Sequence, residues 1–470
     1  MSNYSITVGL EVHAEINTRT KAFCSCACTS GAIPNTHVCP MCLGLPGAIP
    51  SVNRLAIEKL ITTAIAFGAD VAHEIVFERK NYFYPDLPKG YQLVQYNHPI
   101  GVGGKVVLLS GKEVEIDRIH LEEDTGKSVH NEELGKTYVD FNRSGIPIAE
   151  IVCKPTILYA DEIVELVSII KDVLMFSDVS DCRQELGRLR FDVNISLSNT
   201  DNLGTRVELI NLTSSDDVRR AIAYEVDRQS ALLDMGEKVV QETRMWSSEM
   251  DKTYTVRSKE NVKDYRHVAD PDLPIIKITE RDIKKLRKSL PESKASRVTR
   301  YKGFGLEESA IDLLVSSKEI SNYYDNMLAI LFEPVEVYNW IATELLRHSR
   351  EQGCSKLDQL IKPLELANII SMCMSNKISR YNAKIILDEV VLTGKTVAML
   401  VREHNMLGGI SEHDHHVIMD EIVETNPTLA EDYKISPDRV INYIVGEALE
   451  MSQGRADIDT IKRITEERLK

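Results

Sequence analysis

Apolar residues recur with helical periodicity in three segments of the first half of the chain. In the segment VNRLAIEKLITTAIAFG, Ile57, Leu60 and Ile61 fall on one helical face, and Gly68 is placed to end the helix. The same periodicity predicts helices over residues 161–174 and 216–236. Each of these helices has one apolar face, so each is expected to pack against another layer of structure.

Strand-like runs bounded by turn residues lie between these helices: KVVLLSGKEVEI, RLRFDVNISL, TRVELINL and EKVVQETRMW. Strands and helices do not alternate one for one, so the pattern favours an antiparallel α+β arrangement over a doubly wound parallel sheet. From about residue 305 onward the periodicity is almost entirely helical. We therefore predict an α+β domain over residues 1–290, an all-helical domain over 291–400 and a small helical tail domain over 401–470.

The composition is that of a globular protein, with 43% hydrophobic and 27% charged residues. No apolar run approaches the roughly 18 residues that cross a bilayer, and the N-terminal residues lack the pattern of a secretory or transit signal. We therefore expect a cytoplasmic protein without membrane contact. The net charge of −15 argues against a protein that coats nucleic acid non-specifically, although the basic stretch 281–302 could contact a polyanion locally.

Five of the nine cysteines are clustered in the segment CSCACTSGAIPNTHVCPMC. A C-x-C pair and a C-x-x-C pair flank a loop rich in turn residues, a spacing with which two tight turns present thiolates to one tetrahedral zinc ion. The predicted zinc ligands are Cys24, Cys26, Cys39 and Cys42, with Cys28 and His37 in reserve. Such a zinc would be structural, because four thiolates close its coordination shell; the alternative is a set of free thiols near a surface.

Acidic residues in strand-like segments form a second candidate site. Glu11 and His13 stand at i and i+2 in GLEVH, so on a strand both would face the same side. The segments HLEEDTGKS, IPIAEIV and RLRFDVN add Glu122, Glu123, Asp124, Glu150 and Asp192. Taken singly, each is more often a structural carboxylate paired with a cation. Taken together, oxygen donors with one imidazole would suit Mg²⁺ or Mn²⁺ holding a nucleotide.

Two segments bear on nucleotide binding. HLEEDTGKS ends like a phosphate-binding P-loop, but Leu121 stands where the first glycine is required and three carboxylates follow it, so that class of site is excluded. ERKNYFYPDLPKGYQLVQY interleaves cations such as Lys80 with aromatic rings. Its basic groups could hold phosphates while rings close a pocket, or its rings could simply be part of the core.

Seven segments occur in an order that closely resembles the B-subunit family of the aspartyl/glutamyl-tRNA amidotransferases. They are VGLEVHAEINTRTKAFCSC, CPMCLGLPGAIPSVN, RKNYFYPDLPKGYQ, HLEEDTGKS, VDFNRSGIPIAEIV, QETRMW and DYRHVADPDLP. The resemblance resumes in NPTLAEDYK and INYIVGEALEMSQGRAD, which are similar to the YqeY-like region of that family over roughly residues 322–470. It implies an N-terminal cradle domain built on an antiparallel sheet, followed by helices and a YqeY-like tail.

The resemblance also implies an activity and partners. Members of the family phosphorylate the side-chain carboxylate of Glu-tRNA(Gln) or Asp-tRNA(Asn) with ATP, and ammonia then displaces phosphate to give the amide. The chain shows neither a Gly/Ser-rich amidase signature nor a Cys-His glutaminase pair, so ammonia would come from an amidase (A) subunit within a heterotrimer that includes a small C subunit. The alternative is a non-catalytic, zinc-stabilised component that binds tRNA or assembles the complex.

Carried over motif by motif, the resemblance assigns the candidate site residues. Catalytic roles and Mg²⁺ ligation fall on Glu11, His13, Glu123 and Glu150, with Asp192 as a further metal ligand. Lys80 and Arg143 would contact phosphate or carboxylate groups, and the zinc motif coincides with the four cysteines already named. The sequence departs from the family pattern in QELGRLRFD and in ELINLTS, where Ile210 stands in place of a lysine.

Overall fold

The computed structural model describes residues 4–200, 202–258, 265–404, 410–452 and 454–469. The chain divides into two units, Met1–Lys294 and Ala295–Lys470. The first unit combines a large, mainly antiparallel sheet with helices, and the described part of the second unit is helical. The predicted α+β fold followed by helices is therefore confirmed. The finer division at residues 290 and 400 stays a prediction.

The strands of the first unit range from two to eleven residues, and the longest carry the candidate site. In chain order they are β1 (Ser5–Glu15), β2 (Asp70–Val71), β3 (Glu74–Ile75), β4 (Glu78–Asn81), β5 (Tyr91–Val94), β6 (Gly101–Val102), β7 (Lys105–Val107), β8 (Glu113–Glu123), β9 (Lys127–Asn131), β10 (Lys136–Asp140), β11 (Pro147–Cys153), β12 (Thr156–Ile157), β13 (Leu189–Ser198), β14 (Val207–Leu212), β15 (Glu242–Ser247), β16 (Lys252–Ser258), β17 (Val268–Ala269) and β18 (Ile276–Lys277).

Among the described strands, fourteen join in one sheet. Its main path runs β16-β15-β14-β13-β1-β11-β8-β5-β4-β17. Neighbours along this path are antiparallel, except for the parallel pair β14 and β15. The pairs β9–β10 and β3–β18 form separate two-stranded sheets. The path places β1 at the centre, between β13 and β11.

Four α-helices lie in the described part of the first unit, and the sequence marks both ends of the first of them. They are α1 (Arg54–Ala66), α2 (Ala160–Phe176), α3 (Ser215–Asp234) and α4 (Glu280–Lys288), with a 3₁₀ turn at Gln184–Leu186. The Asn53 side chain caps α1 by accepting from two backbone N–H groups. After α1, Gly68 adopts a left-handed φ of 71°, as its predicted role as a stop signal requires.

The central strand β1 separates a buried face from a polar face. Val8, Leu10 and Val12 are at most 1% exposed and belong to the core that also includes the apolar faces of α1, α2 and α3. Glu11 and His13, which alternate with them, are partly exposed on the opposite face. The burial of one face therefore fixes which side chains of β1 are available for chemistry.

The second unit consists of helices in its described part. They are α5 (Lys294–Gly303), α6 (Glu308–Leu314), α7 (Lys318–Leu328), α8 (Pro334–Trp340), α9 (Leu346–Glu351), α10 (Leu357–Leu360), α11 (Pro363–Met374), α12 (Arg380–Thr393), α13 (Val397–Glu403), α14 (Glu412–Thr425), α15 (Leu429–Ile435), α16 (Pro437–Met451) and α17 (Ile458–Leu469). A π-helical segment, Ile341–Leu345, joins α8 to α9. The last four helices share a core of their own that includes Ile422, Ile444 and Ile464. None of the described helices has both the length and the apolar character needed to cross a membrane.

Candidate active site and metal centre

The polar face of the sheet brings together side chains from four strands. His13 on β1 lies opposite Glu150 on β11, and Glu11 lies opposite Asp192 on β13. His120 on β8 lies opposite Glu150 from the other side. Residues directly opposite each other on neighbouring strands point to the same face. Four of the predicted metal ligands therefore share this face, together with a second histidine.

Two groups of ligand atoms on this face are close enough to hold a metal ion. The first comprises Glu11, His13 and Glu150, whose ligand atoms lie within 4.8 Å of one another. The second comprises His120, Glu122 and Glu150, and in it His120 Nε2 lies 2.9 Å from a Glu150 oxygen. Carboxylate oxygens with imidazole nitrogen suit Mg²⁺ or Mn²⁺, so these residues fit the predicted ion. Glu150 belongs to both groups and is the centre of the arrangement.

Burial and neighbouring charges shift the pKa values of these groups. Burial by itself lowers the pKa of His13, but the carboxylates of Asp192 and Glu150 outweigh it and raise this pKa to about 9. Burial by itself lowers the pKa of His120 as well, but the Glu150 and Glu122 carboxylates together outweigh it and raise this pKa to about 9. Burial and the nearby Glu150 charge raise the pKa of Glu11. The face thus concentrates negative charge that attracts cations, and a metal ion bound by His13 would displace a proton.

Glu122 and Glu123 follow each other on β8 and so point to opposite faces. Glu122 lies on the polar face, 3.4 Å from Lys80 Nζ; although burial raises the pKa of Glu122, the Lys80 ammonium helps hold it well below its usual range. Glu123 contacts the buried Lys89 ammonium and accepts from the Leu93 N–H at 2.8 Å. Within the described part of the chain, Glu123 lies outside both ligand groups. Glu122, also named as a candidate acid, belongs to the second ligand group, and the assignment of Glu123 as a metal ligand stays a prediction.

A cavity of about 410 Å³ opens beside the metal-ligand face, which is the polar face of the sheet that carries Glu11, His13 and Glu150. Its acidic lining includes Glu122, Glu123 and Asp192, and its apolar lining includes Ile210 and Met245. The cavity therefore combines charged groups near the metal-ligand face with an apolar wall from β14 and β15. Such a combination suits a small polar group carried on an aliphatic stem.

The two predicted anion-binding cations are both engaged by carboxylates. Lys80 pairs with Glu122, as described above. Arg143 donates through two nitrogen atoms to one oxygen of Asp124, and its Nε lies 3.0 Å from that oxygen. The other Asp124 oxygen accepts from Arg190 Nη2 at 3.2 Å. Of these three cations, Arg190 is the one that lines the cavity.

The four predicted zinc ligands converge in one cluster. The Cys42 sulfur lies 3.5 Å from that of Cys24, 3.6 Å from that of Cys39 and 3.7 Å from that of Cys26. All four sulfurs lie within 4.8 Å of one another, and the two reserve ligands lie outside the group. A tetrahedral ion with bonds of about 2.3 Å to sulfur requires sulfur–sulfur separations of about 3.8 Å. The cluster could therefore bind a metal ion with little rearrangement.

A buried lysine adjoins the cysteine cluster. Lys21 is 0% exposed, and its Nζ lies 3.4 Å from the Cys42 sulfur. It also donates to the carbonyl oxygens of His37, at 2.9 Å, and Phe141, at 3.3 Å. A hydrogen bond from the Cys24 thiol and the Lys21 charge lower the pKa of Cys42 to about 4. Cys42 is thus held as a thiolate, the form that binds metal ions.

Sequence reasoning missed two residues of this site, His120 and Arg190, and it named Glu122 as a candidate acid without assigning it to the metal ligands. The signal for His120 and Glu122 lies in the segment IHLEE. Ile119 and Leu121 are buried apolar residues, so on a strand the residues beside them, His120 and Glu122, must face the other way. Arg190 carries no comparable signal, because its role depends on strand pairing with β1.

Comparison with known proteins agrees with the family resemblance. Residues 6–284 match the family described as the GatB/GatE catalytic domain, and residues 322–469 match the GatB domain. A protein of Brevibacillus brevis, named as the B subunit of an aspartyl/glutamyl-tRNA(Asn/Gln) amidotransferase, is 37% identical over 99% of both chains. The protein of the same name from Thermodesulfovibrio yellowstonii is also 37% identical, over 97% of both chains. The one from Persephonella marina is 37% identical over 98% of this chain and 99% of its own. The chain therefore belongs to the GatB/GatE family of tRNA-dependent amidotransferase subunits.

Proposed function

We propose that this chain activates the side-chain carboxylate of a misacylated tRNA with ATP and exchanges the resulting phosphate for ammonia. The substrates would be Glu-tRNA(Gln), Asp-tRNA(Asn) or both, as the names of its relatives suggest. The observation that carries the proposal is the convergence of Glu11, His13 and Glu150 with His120 and Glu122 on one sheet face beside a cavity. A subunit that only bound tRNA would not need these groups together.

The chemistry explains why such a face is needed. Ammonia does not displace oxide from a carboxylate, whereas phosphate is a good leaving group, so the carboxylate must first be phosphorylated. Mg²⁺ or Mn²⁺ held by Glu11, His13 and Glu150 would neutralise the phosphates and align the phosphoryl group with the acceptor oxygen. His120 would orient Glu150 through their contact of 2.9 Å. The walls of the cavity would hold the amino acid and limit access of water.

The cysteine cluster would hold a structural Zn²⁺. Cys24, Cys26, Cys39 and Cys42 supply four sulfurs at nearly tetrahedral separations and leave no open position for a substrate. Ammonia would come from an amidase partner, the A subunit, with the small C subunit completing a heterotrimer. The chain would then work as one member of a complex and bind misacylated tRNA within it.

One observation favours the alternative of a zinc-stabilised binding or assembly subunit. The acids Glu122 and Glu123 each already contact a lysine, as expected of structural carboxylates. Glu11, however, has no such partner among the described salt bridges, and burial raises its pKa. Asn194 donates to Glu11 at 2.8 Å, but no lysine or arginine in the described part of the chain balances this acid next to Glu150, and that arrangement favours a bound cation over a purely structural role.

Reconstitution tests the proposal. The chain is combined with its amidase and small partner subunits, ATP, Mg²⁺, glutamine and each misacylated tRNA, and amide product and ADP are measured. We expect the wild-type complex to form amidated tRNA, and Glu150→Gln to lose amidation and tRNA-dependent ATP turnover. Glu133→Gln, on the exposed β9–β10 connection, is the matched control. Normal tRNA binding with equal ATP turnover in wild type and Glu150→Gln would instead support the assembly role.

A further inference from the structure

The cavity beside the metal-ligand face is lined by unequal numbers of acids and bases. Its acidic residues are Glu122, Glu123, Asp124 and Asp192. Of the described residues that line it, Arg190 is the one lysine or arginine. Acidic residues outnumber lysine and arginine in this lining, so an anionic substrate that enters the cavity needs a cationic group on the wall as well as a metal ion.

The positive charge of Arg190 is not fully neutralised by its neighbours. Glu122 and Glu123 each contact a lysine of their own. Asp124 contacts two arginines: Arg143 through two nitrogen atoms to one oxygen, and Arg190 through Nη2 to the other. Two guanidinium groups against one carboxylate leave a net charge of +1. Because Arg190 is the arginine of this pair that lines the cavity, the surplus charge is available there.

Arg190 also keeps hydrogen-bond donors for a ligand. A guanidinium group carries five N–H donors in a planar fork, and the contact with Asp124 uses one nitrogen atom, Nη2. The Arg190 side chain is 43% exposed, whereas that of Asp124 is 5% exposed and fixed by Arg143. The contact with the buried Asp124 therefore fixes the position of the Arg190 guanidinium group. A planar fork of this kind matches a carboxylate in bidentate geometry.

The position of Arg190 indicates which anion it holds. It lies opposite His13 on the neighbouring strand, at the edge of the ligand face. On its other side, Ile210 and Met245 pair across β14 and β15 and supply the apolar wall. Aspartyl and glutamyl groups each place a carboxylate on one or two methylene groups. Their methylenes would contact this wall while the carboxylate meets the guanidinium.

We infer that Arg190 binds the side-chain carboxylate of the aminoacyl group and that Asp124 is its positioning residue. The inference rests on the proposed function and adds the substrate contact to it. The metal-ligand face then receives the nucleotide phosphates, and Arg190 holds the acceptor carboxylate next to them. Ile210 and Met245 bring no charge to the apolar wall, so recognition of the carboxylate depends on Arg190.

Binding measurements on the reconstituted complex test this assignment. The probes are Glu-tRNA(Gln) compared with Gln-tRNA(Gln), and Asp-tRNA(Asn) compared with Asn-tRNA(Asn); in the second member of each pair a neutral amide replaces the carboxylate. Arg190→Gln should weaken binding of the misacylated tRNA by about 10- to 100-fold and leave binding of the amidated tRNA within about twofold, because only the former offers a carboxylate. Arg190→Lys keeps the charge but loses the planar fork of donors, so its affinity for the misacylated tRNA should lie between those of the wild type and Arg190→Gln.

The control and the kinetics complete the test. Arg183→Gln removes an exposed arginine from the same region and should bind both tRNAs as the wild type does. For Arg190→Gln we expect a raised KM for the misacylated tRNA with an unchanged KM for ATP. A raised KM for ATP alone would assign Arg190 to phosphate, and equal weakening of both tRNAs would assign it to the tRNA backbone; either result overturns the inference. Failure of the wild type to form amide would count against the proposed function instead, and the binding comparison does not depend on it.

Discussion

Lys21→Met tests whether the cysteine cluster holds a metal ion whose charge the buried lysine balances. Methionine has a similar length and no charge, so the change removes the ammonium group from its place 3.4 Å from the Cys42 sulfur. Four thiolates around Zn²⁺ carry a net charge of −2, and Lys21, at 0% exposure, has in place of solvent two backbone carbonyl oxygens and this cluster to stabilise its charge. We therefore expect the metal and the lysine to stabilise each other.

The magnitude follows from the geometry. With an effective dielectric constant of about 20, unit charges 3.4 Å apart attract by about 5 kcal/mol, and desolvation of the ammonium group offsets much of this. Neighbours that contact metal ligands in this way typically change metal affinity by about 10- to 100-fold, which corresponds to about 1.4–2.8 kcal/mol. Lys21→Met should weaken Zn²⁺ binding within that range.

The assay is competition for Zn²⁺ with a chromogenic chelator, together with zinc content and thermal unfolding of the purified protein. Lys105→Met is the matched control, because Lys105 pairs with Glu113 at the surface, where an ion pair contributes little. It should bind Zn²⁺ as tightly as the wild type. Zinc affinity of Lys21→Met within twofold of the wild type, or a wild-type protein that binds no zinc, would refute the reasoning.

Three further predictions concern stability and the two metal ions. Glu225→Gln should destabilise the protein by about 3–5 kcal/mol in chemical denaturation, because Glu225 is 0% exposed and pairs with Arg228 and Arg244. Burial by itself raises the pKa of Glu225, but its ion pair with Arg228 and its other hydrogen bonds lower the pKa below the usual value. The stability that the charged Glu225 contributes is therefore present above about pH 4.3 and is lost as the pH falls. The wild type should lose more stability on acidification than Glu225→Gln. Chelation of Zn²⁺ should unfold the first unit slowly, whereas removal of Mg²⁺ should stop amidation and leave circular dichroism unchanged; loss of amidation and structure together on Mg²⁺ removal would contradict this. His120 contacts Glu150 and would orient it, so His120→Ala should raise the Mg²⁺ concentration for half-maximal rate by about 10- to 100-fold. An unchanged Mg²⁺ dependence would exclude His120 as the residue that orients Glu150.

The helices and long strands of the first unit could be predicted because their apolar faces are periodic. The periodicity predicts helices over residues 161–174 and 216–236, and the structure has α2 and α3 over Ala160–Phe176 and Ser215–Asp234. The two-residue strands, such as β2 and β6, carry no periodic signal, because their pairing depends on distant parts of the chain. The π-helical segment in the second unit also has no mark in the sequence.

The candidate site was predictable in part for the same reason. Glu11 and His13 share a face because residues two apart on a strand do so, and the sequence alone supports that inference. The adjacent acids Glu122 and Glu123 lie on opposite faces of β8. The motif resemblance assigns Glu123 as a metal ligand, and in the structure Glu123 contacts Lys89. The meeting of Glu150 with His13 depends on the register of β11 against β1, which local sequence does not specify.

The most direct test of the account follows an oxygen atom. The reconstituted complex is given a misacylated tRNA whose side-chain carboxylate carries ¹⁸O at both oxygens, with ATP, Mg²⁺ and ammonium ions, and the inorganic phosphate is examined by mass spectrometry. If the carboxylate is phosphorylated and ammonia then displaces phosphate, each phosphate released during amidation carries one ¹⁸O atom from the substrate. Amide formation with unlabelled phosphate would contradict the proposed chemistry of this site.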